Sequence, residues 1–176
     1  MQRLKPVDPA LVSGPVSAIF AGPLKGKHFN IFKAMGNSPA ALQAYLGMAG
    51  ALEQASLSAK EREVIQLAIG EANNCQYCAS AHTAIGMMAG LTEAQTVEAR
   101  RGTLTDPKLD ALAKFALKIH EKRGFVSDAD VATFRAAGYD DGAIAEVVAA
   151  YALAIYTNYF NHVNETPVDF PPIPHI

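Results

Sequence analysis

The sequence predicts a single all-α domain, and three observations support this fold class. Half of the 176 residues are hydrophobic, which is enough for one sizeable core. Helix start signals recur along the chain, and apolar residues follow them at a spacing of three to four. No segment shows sustained strand alternation bounded by hairpin turns. We therefore expect residues 1–176 to form a single-domain helical bundle of about seven helices.

The predicted helices follow one another from recognisable start signals. A Ser or Asp before a proline is typical of an N-cap and a first helical residue. A Ser or Thr with Glu or Gln three residues later forms a capping box. Such signals stand at Ser38–Pro39, Ser58–Glu61, Thr92–Gln95 and Asp106–Pro107. Ser127 and Gly138 bracket a shorter helix, and a further helix is expected to start close to Cys75.

The last predicted helix, residues 140–162, is the most apolar segment of the chain. Its core, GAIAEVVAAYALAIYTNYF, nearly reaches the length of a membrane span. Glu146, Thr157 and Asn158 interrupt it, and much of the rest is alanine. We interpret it as a buried core helix and predict no membrane partner.

The net charge of the chain and the composition of its two ends limit the partners and the cellular location that we expect. A formal net charge of -2 and a pI near 6.2 give no basic surface for nucleic acid or anionic lipid. The first twenty residues contain three prolines and lack the features of a signal peptide, so we expect a cytoplasmic protein. Residues 1–36 and 165–176 are rich in proline and glycine and are expected to be extended arms. Apolar arms and an apolar last helix together predict a homo-oligomer.

Two cysteines and a nearby histidine give the most specific chemical signal. Cys75, Cys78 and His82 fall within a sector of about 60° if their helix starts near Cys75. In a reducing compartment, a CxxC pair favours redox or metal chemistry over a structural staple. The first helical turn stabilises a thiolate, and a second thiol can resolve an oxidised first one. His82, one turn after Cys78, is placed to accept or relay its proton.

Two other interpretations of this cluster remain open from the residues alone. The three side chains could bind zinc with Glu71 or Glu63 as a fourth ligand, although structural zinc sites usually draw ligands from separated elements. The cluster could also be ordinary core. We favour redox chemistry and expect neither a metal nor a cofactor. On the preceding helix, a face to which Glu71 lies nearer than Glu63 is defined by the apolar residues Val64, Ile65, Leu67, Ala68 and Ile69.

The segment 57–92, LSAKEREVIQLAIGEANNCQYCASAHTAIGMMAGLT, resembles the core of the alkylhydroperoxidase D-like, carboxymuconolactone decarboxylase-like family. The redox branch of that family has a glutamate twelve residues before a CxxC pair and a histidine four residues after it. In this sequence, Glu63, Cys75, Cys78 and His82 match that register. Tyr77 stands where the best-known members have a histidine.

The resemblance implies an all-helical oligomer, often a trimer or a hexamer, with thiol-dependent peroxidase activity. By position, Cys78 would be the sulfur oxidised by peroxide, and Cys75 would resolve the sulfenic acid as a disulfide. An external dithiol, in the best-known members a lipoylated protein, would reduce that disulfide. His82 and Glu63, with a bridging water, would form the proton relay.

Two other functions stand as alternatives. The first is a decarboxylase or lactone-processing activity on a small ring-containing acid, as in the branch that gives the family its name. That branch does not depend on a CxxC pair, so the complete thiol motif counts against it. The second is a non-enzymatic, oligomeric redox sensor whose disulfide state alters its interaction with a partner.

Overall fold

The computed structural model describes residues 2–174 and 176, and helices account for all regular secondary structure in these residues. They are α1 Gly14–Ala21, α2 Asn30–Met35, α3 Pro39–Leu52, α4 Ala59–Ala72, α5 Gln76–Met88, α6 Glu93–Arg101, α7 Pro107–Glu121, α8 Asp128–Ala136 and α9 Asp141–Asn164. The predicted all-α fold class is confirmed. The described chain has two helices more than the seven we expected, and both lie near the N-terminus.

The helices α3 to α9 begin at or next to the predicted start signals. The side chain of Ser38 accepts a hydrogen bond from the backbone N–H of Ala41 at the start of α3. Both predicted capping boxes form, at Ser58 before α4 and at Thr92 before α6. Because a cap satisfies backbone groups within one turn of itself, these helix starts depend on local sequence alone.

Helix α4 is the centre of the fold and has no single buried face. It packs against α5, α6, α7 and α9, and the seven consecutive residues 64–70 are all buried. The expectation that Glu71 lies nearer the core than Glu63 is therefore wrong. The Glu71 side chain is 29% exposed, whereas that of Glu63 is 14% exposed. Helical periodicity identifies the buried side only of a helix that has a solvent face.

The expectation that residues 1–36 are extended is wrong for the stretches that form α1 and α2. Val16, Ile19 and Phe20 are buried at helical spacing, although neither short helix has a side-chain cap at its start. Short helices of this kind are marginal alone and are held by tertiary packing. An apolar cluster supplies that packing. It includes Phe20, Ile31, Phe32, Leu42, Tyr77 and both cysteines. We call it the cysteine-side cluster.

Helix α9 packs against α3, α4, α5 and α7. By length and composition alone it could cross a membrane, and it is the one helix of residues 2–174 of which this is true. A row of three asparagines, Asn158, Asn161 and Asn164, is nevertheless buried on it. Buried amides need hydrogen-bond partners within the protein. These contacts support its interpretation as a core helix.

The C-terminal segment 166–174 contains no helix and runs back across α2 and α5. Oδ2 of Asp169 accepts a hydrogen bond of 2.7 Å from the backbone N–H of Asn30, the first residue of α2. The ring of Phe170 stacks on Phe29 with centroids 4.7 Å apart. Further on, Nη1 of Arg100 donates a 2.8 Å bond to the carbonyl of Pro174. This segment therefore wraps its own domain on the side of the cysteines.

Candidate active site

The two cysteines lie at the start of α5 and form a disulfide. Cys75 is the N-cap of the helix, and Cys78 lies in its first turn, with the two Cα atoms 5.3 Å apart. Asn74, with a φ of 54°, turns the chain from α4 into this position. The Sγ atom of Cys75 accepts a 3.3 Å hydrogen bond from the backbone N–H of Cys78. The positive end of the helix dipole thus faces sulfur, an arrangement that favours thiolate over thiol.

The disulfide is shielded from solvent by neighbouring helices. Cys75 and Cys78 are each 2% exposed, within the cysteine-side cluster. From the other side, α4 approaches at Gly70, where an added Cβ would lie 3.5 Å from Cβ of Cys78. Helix α4 therefore packs directly against the turn that carries the sulfurs. The chemistry of these sulfurs therefore takes place in a low-dielectric environment.

His82 and Glu63 form a close pair one helical turn beyond Cys78. Nδ1 of His82 lies 2.7 Å from Oε2 of Glu63, across the interface between α5 and α4. Gly86, one turn further along α5, packs against the base of this side chain, since an added Cβ would be in ordinary contact with Cβ of Glu63 at 3.6 Å. In this disulfide form of the protein, no hydrogen bond links His82 to either cysteine sulfur within the described part of the chain. The carboxylate can fix the ring and its tautomer.

Glu71, the other carboxylate considered for the relay, is engaged elsewhere. Its Oε2 lies 2.7 Å from Nε of Arg100, whose side chain is 4% exposed. Arg100 in turn holds the C-terminal segment through Pro174. In the structure, Glu63 therefore pairs with His82, whereas Glu71 pairs with the arginine that binds the C-terminal segment.

Tyr77, one of the two residues between the cysteines, is buried and makes two hydrogen bonds. Its hydroxyl donates a 2.8 Å bond to Oδ1 of Asp169 and accepts a 3.4 Å bond from the backbone N–H of Ile31. Burial and then the bond to Asp169 raise the pKa of Tyr77 far above its usual range. The phenol therefore keeps its proton near neutral pH, and its contacts are those of a structural tie.

Sequence reasoning missed one residue at the sulfurs. Nδ2 of Asn161, on α9, donates a hydrogen bond of 3.3 Å to Sγ of Cys78. The two residues are 83 positions apart, so no local pattern links them. Only the packing of α9 beside α5 brings them together.

A cavity of about 180 Å³ lies beside the disulfide and is lined by Cys75. Arg100 and the tail residues Ile173 and Pro174 line it, together with Glu71 and Cys75, whereas Cys78 does not. A larger groove of about 390 Å³ lies between α3 and α9 and includes none of the predicted site residues. Within residues 2–174 and 176, no three His, Cys, Asp or Glu side chains converge as metal ligands.

The fold and the site define a class of protein, an all-helical domain with a buried CxxC pair beside a His–Glu pair. Residues 39–122 match the sequence model of the carboxymuconolactone decarboxylase family, so this central part of the chain is similar to that family. A comparison with curated proteins gives no significant match.

Solved structures share this fold at low sequence identity. A peroxidase-related protein from Ralstonia eutropha JMP134, an alkylhydroperoxidase AhpD core, has a TM-score of 0.86 and 22% identity, covering 96% of this chain and 92% of that one. A peroxidase-related protein from Silicibacter sp. TM1040 has a TM-score of 0.75 and 22% identity over 86% and 81% of the two chains. The debrominase Bmp8 in complex with 2,3,4-tribromopyrrole has a TM-score of 0.79 and 16% identity over 96% and 92%.

Proposed function

We propose that this protein is a thiol-dependent peroxidase that reduces an organic hydroperoxide or hydrogen peroxide through a cycle of Cys75 and Cys78. The observation that carries the proposal is the disulfide at the N-terminus of α5, one turn before the His82–Glu63 pair. The match of residues 39–122 to the carboxymuconolactone decarboxylase family and the fold shared with an alkylhydroperoxidase AhpD core support an enzyme of this general type. The family and its fold also include other chemistries, so the site residues carry the specific assignment.

In the first step, the thiolate of Cys78 attacks one peroxide oxygen and the O–O bond breaks. Cys78 becomes a sulfenic acid, and the leaving oxygen takes up a proton to depart as an alcohol or as water. His82 supplies that proton, and Glu63 stabilises the imidazolium from which it comes. The proton taken from the Cys78 thiol reloads His82 in the next cycle.

In the second step, the thiol of Cys75 attacks the sulfenic sulfur of Cys78. The new S–S bond forms as water leaves, which gives the disulfide of this structure. An external dithiol then reduces the disulfide by two successive exchanges and becomes oxidised itself. The 180 Å³ cavity beside Cys75 supports attack at that sulfur, since Cys78 does not line it. A lipoylated protein has the required dithiol chemistry.

We further propose that the protein is a cytoplasmic homo-oligomer, a trimer or a hexamer. Exposed apolar side chains at the end of α5 and along α9 support a subunit interface. They are Ile85, Met87, Met88, Val148, Tyr159 and Val163. A reducing cytoplasm would keep the external dithiol in its reduced form.

The test is stopped-flow oxidation of the fully reduced protein by one equivalent of cumene hydroperoxide, with free thiols counted before and after. Both thiols should be lost far faster than those of free cysteine. Cys78→Ser should abolish the reaction, and Cys75→Ser should stop it at a sulfenic acid. Thiols that oxidise no faster than free cysteine would reject the proposal and redirect the search to a ring-containing acid. Slow turnover with fast, reversible disulfide formation would instead indicate a redox sensor.

A further inference from the structure

Asn161 contacts the sulfur of Cys78 from the helix that faces the CxxC turn. Its Nδ2 atom lies 3.3 Å from Sγ and donates to it. Asn161 is 4% exposed and Cys78 is 2% exposed, so water does not compete effectively for this bond. Within residues 2–174 and 176, it is the one hydrogen bond to the Cys78 sulfur.

The other neighbours of Cys78 are mainly apolar. Cys78 belongs to the cysteine-side cluster, most of whose members are aliphatic or aromatic side chains, among them Phe32 and Leu42. Such surroundings disfavour a thiolate, because the charge loses its hydration. A buried N–H donor aimed at the sulfur opposes that penalty, since hydrogen bonds to charged atoms are stronger than those to neutral ones.

The other end of the Asn161 amide makes no hydrogen bond that would stabilise the fold among the described residues. Its Oδ1 atom is buried and has no hydrogen-bond partner among the described residues. An unpaired buried acceptor destabilises a fold, so an apolar side chain at this position would suit stability better. The contact with sulfur supplies a reason to keep an amide.

We propose that Asn161 is a catalytic residue that stabilises the thiolate of Cys78 by donating a hydrogen bond to the reacting sulfur. As a statement about catalysis, the inference rests on the proposed function, in which this thiolate attacks the peroxide. In the reduced protein, the thiol loses its proton to the relay, and the resulting thiolate accepts the N–H of the amide. The reverse orientation, with Oδ1 on the sulfur, would accept the S–H and stabilise the thiol, so the sign of the effect on the pKa identifies the orientation.

Other titratable groups around α5 are engaged in their own contacts. They are Glu63 with His82, Glu71 with Arg100, and Asp169 with Tyr77. On α3, burial and then the charge of Glu63 raise the pKa of Tyr45 to about 12, so this phenol is neutral near pH 7. All these groups are unchanged by substitution of Asn161, so their influence on the sulfur cancels in the comparison.

Asn158 provides a matched control on the same helix. It is fully buried, and its Oδ1 accepts a 3.0 Å hydrogen bond from Nδ2 of Asn73 rather than touching a sulfur. Its own Nδ2 also has no partner among the described residues. Asn158→Ala therefore removes a buried amide from α9 without removing a bond to Cys78.

The experiment titrates Cys78 in a Cys75→Ser background, where it is the one thiol, through thiolate absorbance at about 240 nm as a function of pH. Asn161→Ala is expected to raise the pKa of Cys78 by about one to two units. Asn161→Asp has nearly the same shape but no donor and adds a negative charge, so it should raise the pKa further. Asn158→Ala should leave it unchanged.

An unchanged or lowered pKa in both Asn161 variants would overturn the inference, as would an equal rise in Asn158→Ala. Circular dichroism at each pH verifies that the variants are folded, and Asn161→Leu, which keeps a similar volume but has neither a donor nor a charge, decides if the Ala variant does not fold. The protein could fail to react with peroxide while the pKa of Cys78 still rises in the Asn161 variants. This result would refute the peroxidase function but support the hydrogen bond from Asn161 to the thiolate. Normal peroxide reduction with an unchanged pKa would refute the role of Asn161 and leave the function standing.

Discussion

The hydroxyl of Tyr77 donates a 2.8 Å hydrogen bond to Oδ1 of Asp169, which ties one of the two residues between the cysteines to the C-terminal segment. The second oxygen of the same carboxylate accepts the backbone N–H of Asn30 at 2.7 Å. Asp169 therefore connects α5, α2 and the tail at one point. The CxxC turn is positioned by contacts from both ends of the chain.

Replacing Tyr77 by Phe should reduce stability without disturbing proton transfer. The variant loses the bond to Asp169, and we expect the free energy of unfolding to fall by about 1–2 kcal/mol. The pH profile of Cys78 oxidation should keep its shape, because the raised pKa of Tyr77 keeps the phenol neutral. Denaturant unfolding and pH-dependent stopped flow measure the two effects. Tyr156→Phe, which loses a bond to the carbonyl of Ala41, is the control for removing a phenol hydroxyl. Loss of one limb of the profile in the Tyr77 variant alone would show that the phenol carries a proton.

Neutralising Glu63 should slow the oxidation of Cys78, whereas neutralising Glu71 should not. Glu63→Gln removes the charge that supports His82, and we expect a rate loss on the order of 100-fold, within the usual range for general acid–base catalysis. Glu71→Gln breaks a contact to Arg100 and should change the rate less than about threefold. Stopped-flow oxidation with cumene hydroperoxide compares the two. If His82 and Glu63 act as a unit, the double variant should be no slower than the slower single one. The opposite ranking of the two glutamates would assign the relay to Glu71.

The charge of Glu61 should stabilise the protein at neutral pH but not in acid. Burial by itself would raise the pKa of Glu61, but hydrogen bonds from Ser58, then Tyr139 and Lys108, lower it overall. A lowered carboxyl pKa gives stabilisation that is complete above the unfolded value of 4.5 and is lost as the pH falls through the folded pKa. Glu61→Gln should therefore reduce the free energy of unfolding by about 1–2 kcal/mol at pH 7, with a smaller difference in acid.

Urea denaturation between pH 7 and pH 3 measures this difference. Glu121→Gln serves as an exposed control, since among the described residues that carboxylate pairs with Lys118 alone, in the last turn of α7. A deficit of Glu61→Gln that stays constant across the range would mean that the lost contacts are not those of the ionised carboxylate.

Removing residues 170–176 should make the disulfide easier to reduce. The deletion removes the tail wall of the cavity beside Cys75, formed by Ile173 and Pro174, but keeps Asp169 and its bond to Tyr77. Reduction of the disulfide by dithiothreitol, followed by thiol counting, should become several-fold faster because access controls such exchange. Phe170→Ala is the control, because it keeps the tail but removes its stack on Phe29. It distinguishes the effect of a loosened tail from that of a missing tail. Equal rates in the deletion variant and the intact protein would show that the tail does not limit access.

The features that sequence predicted best are those fixed within a few residues. Both capping boxes, at Ser58 and Thr92, form as expected because their hydrogen bonds close inside one turn. The juxtaposition of Cys75 with Cys78 likewise follows from their spacing at a helix start. Local geometry of this kind needs no knowledge of what packs against the helix.

The features that sequence predicted poorly depend on the surroundings of each helix. Periodicity favoured Glu71 because it assumes a solvent face that the central helix α4 does not have. Helices α1 and α2 were expected to be extended since prolines and glycines flank them, yet burial over the cysteines holds them. The contact between Asn161 and Cys78 had no sequence signal at all, because it exists only once α9 has packed.

The tie between Tyr77 and Asp169 has a consequence during synthesis on the ribosome. The CxxC turn is made before α7, α8 and α9, but the carboxylate that fixes its tyrosine follows that tyrosine by 92 positions and is made after all three helices. Until then, the emerging chain presents two uncovered thiols to other nascent proteins and to oxidants. Contacts between such distant positions also form slowly. Before Asp169 is made, protection of the two cysteines would therefore depend on the surrounding reductants and not on this tie.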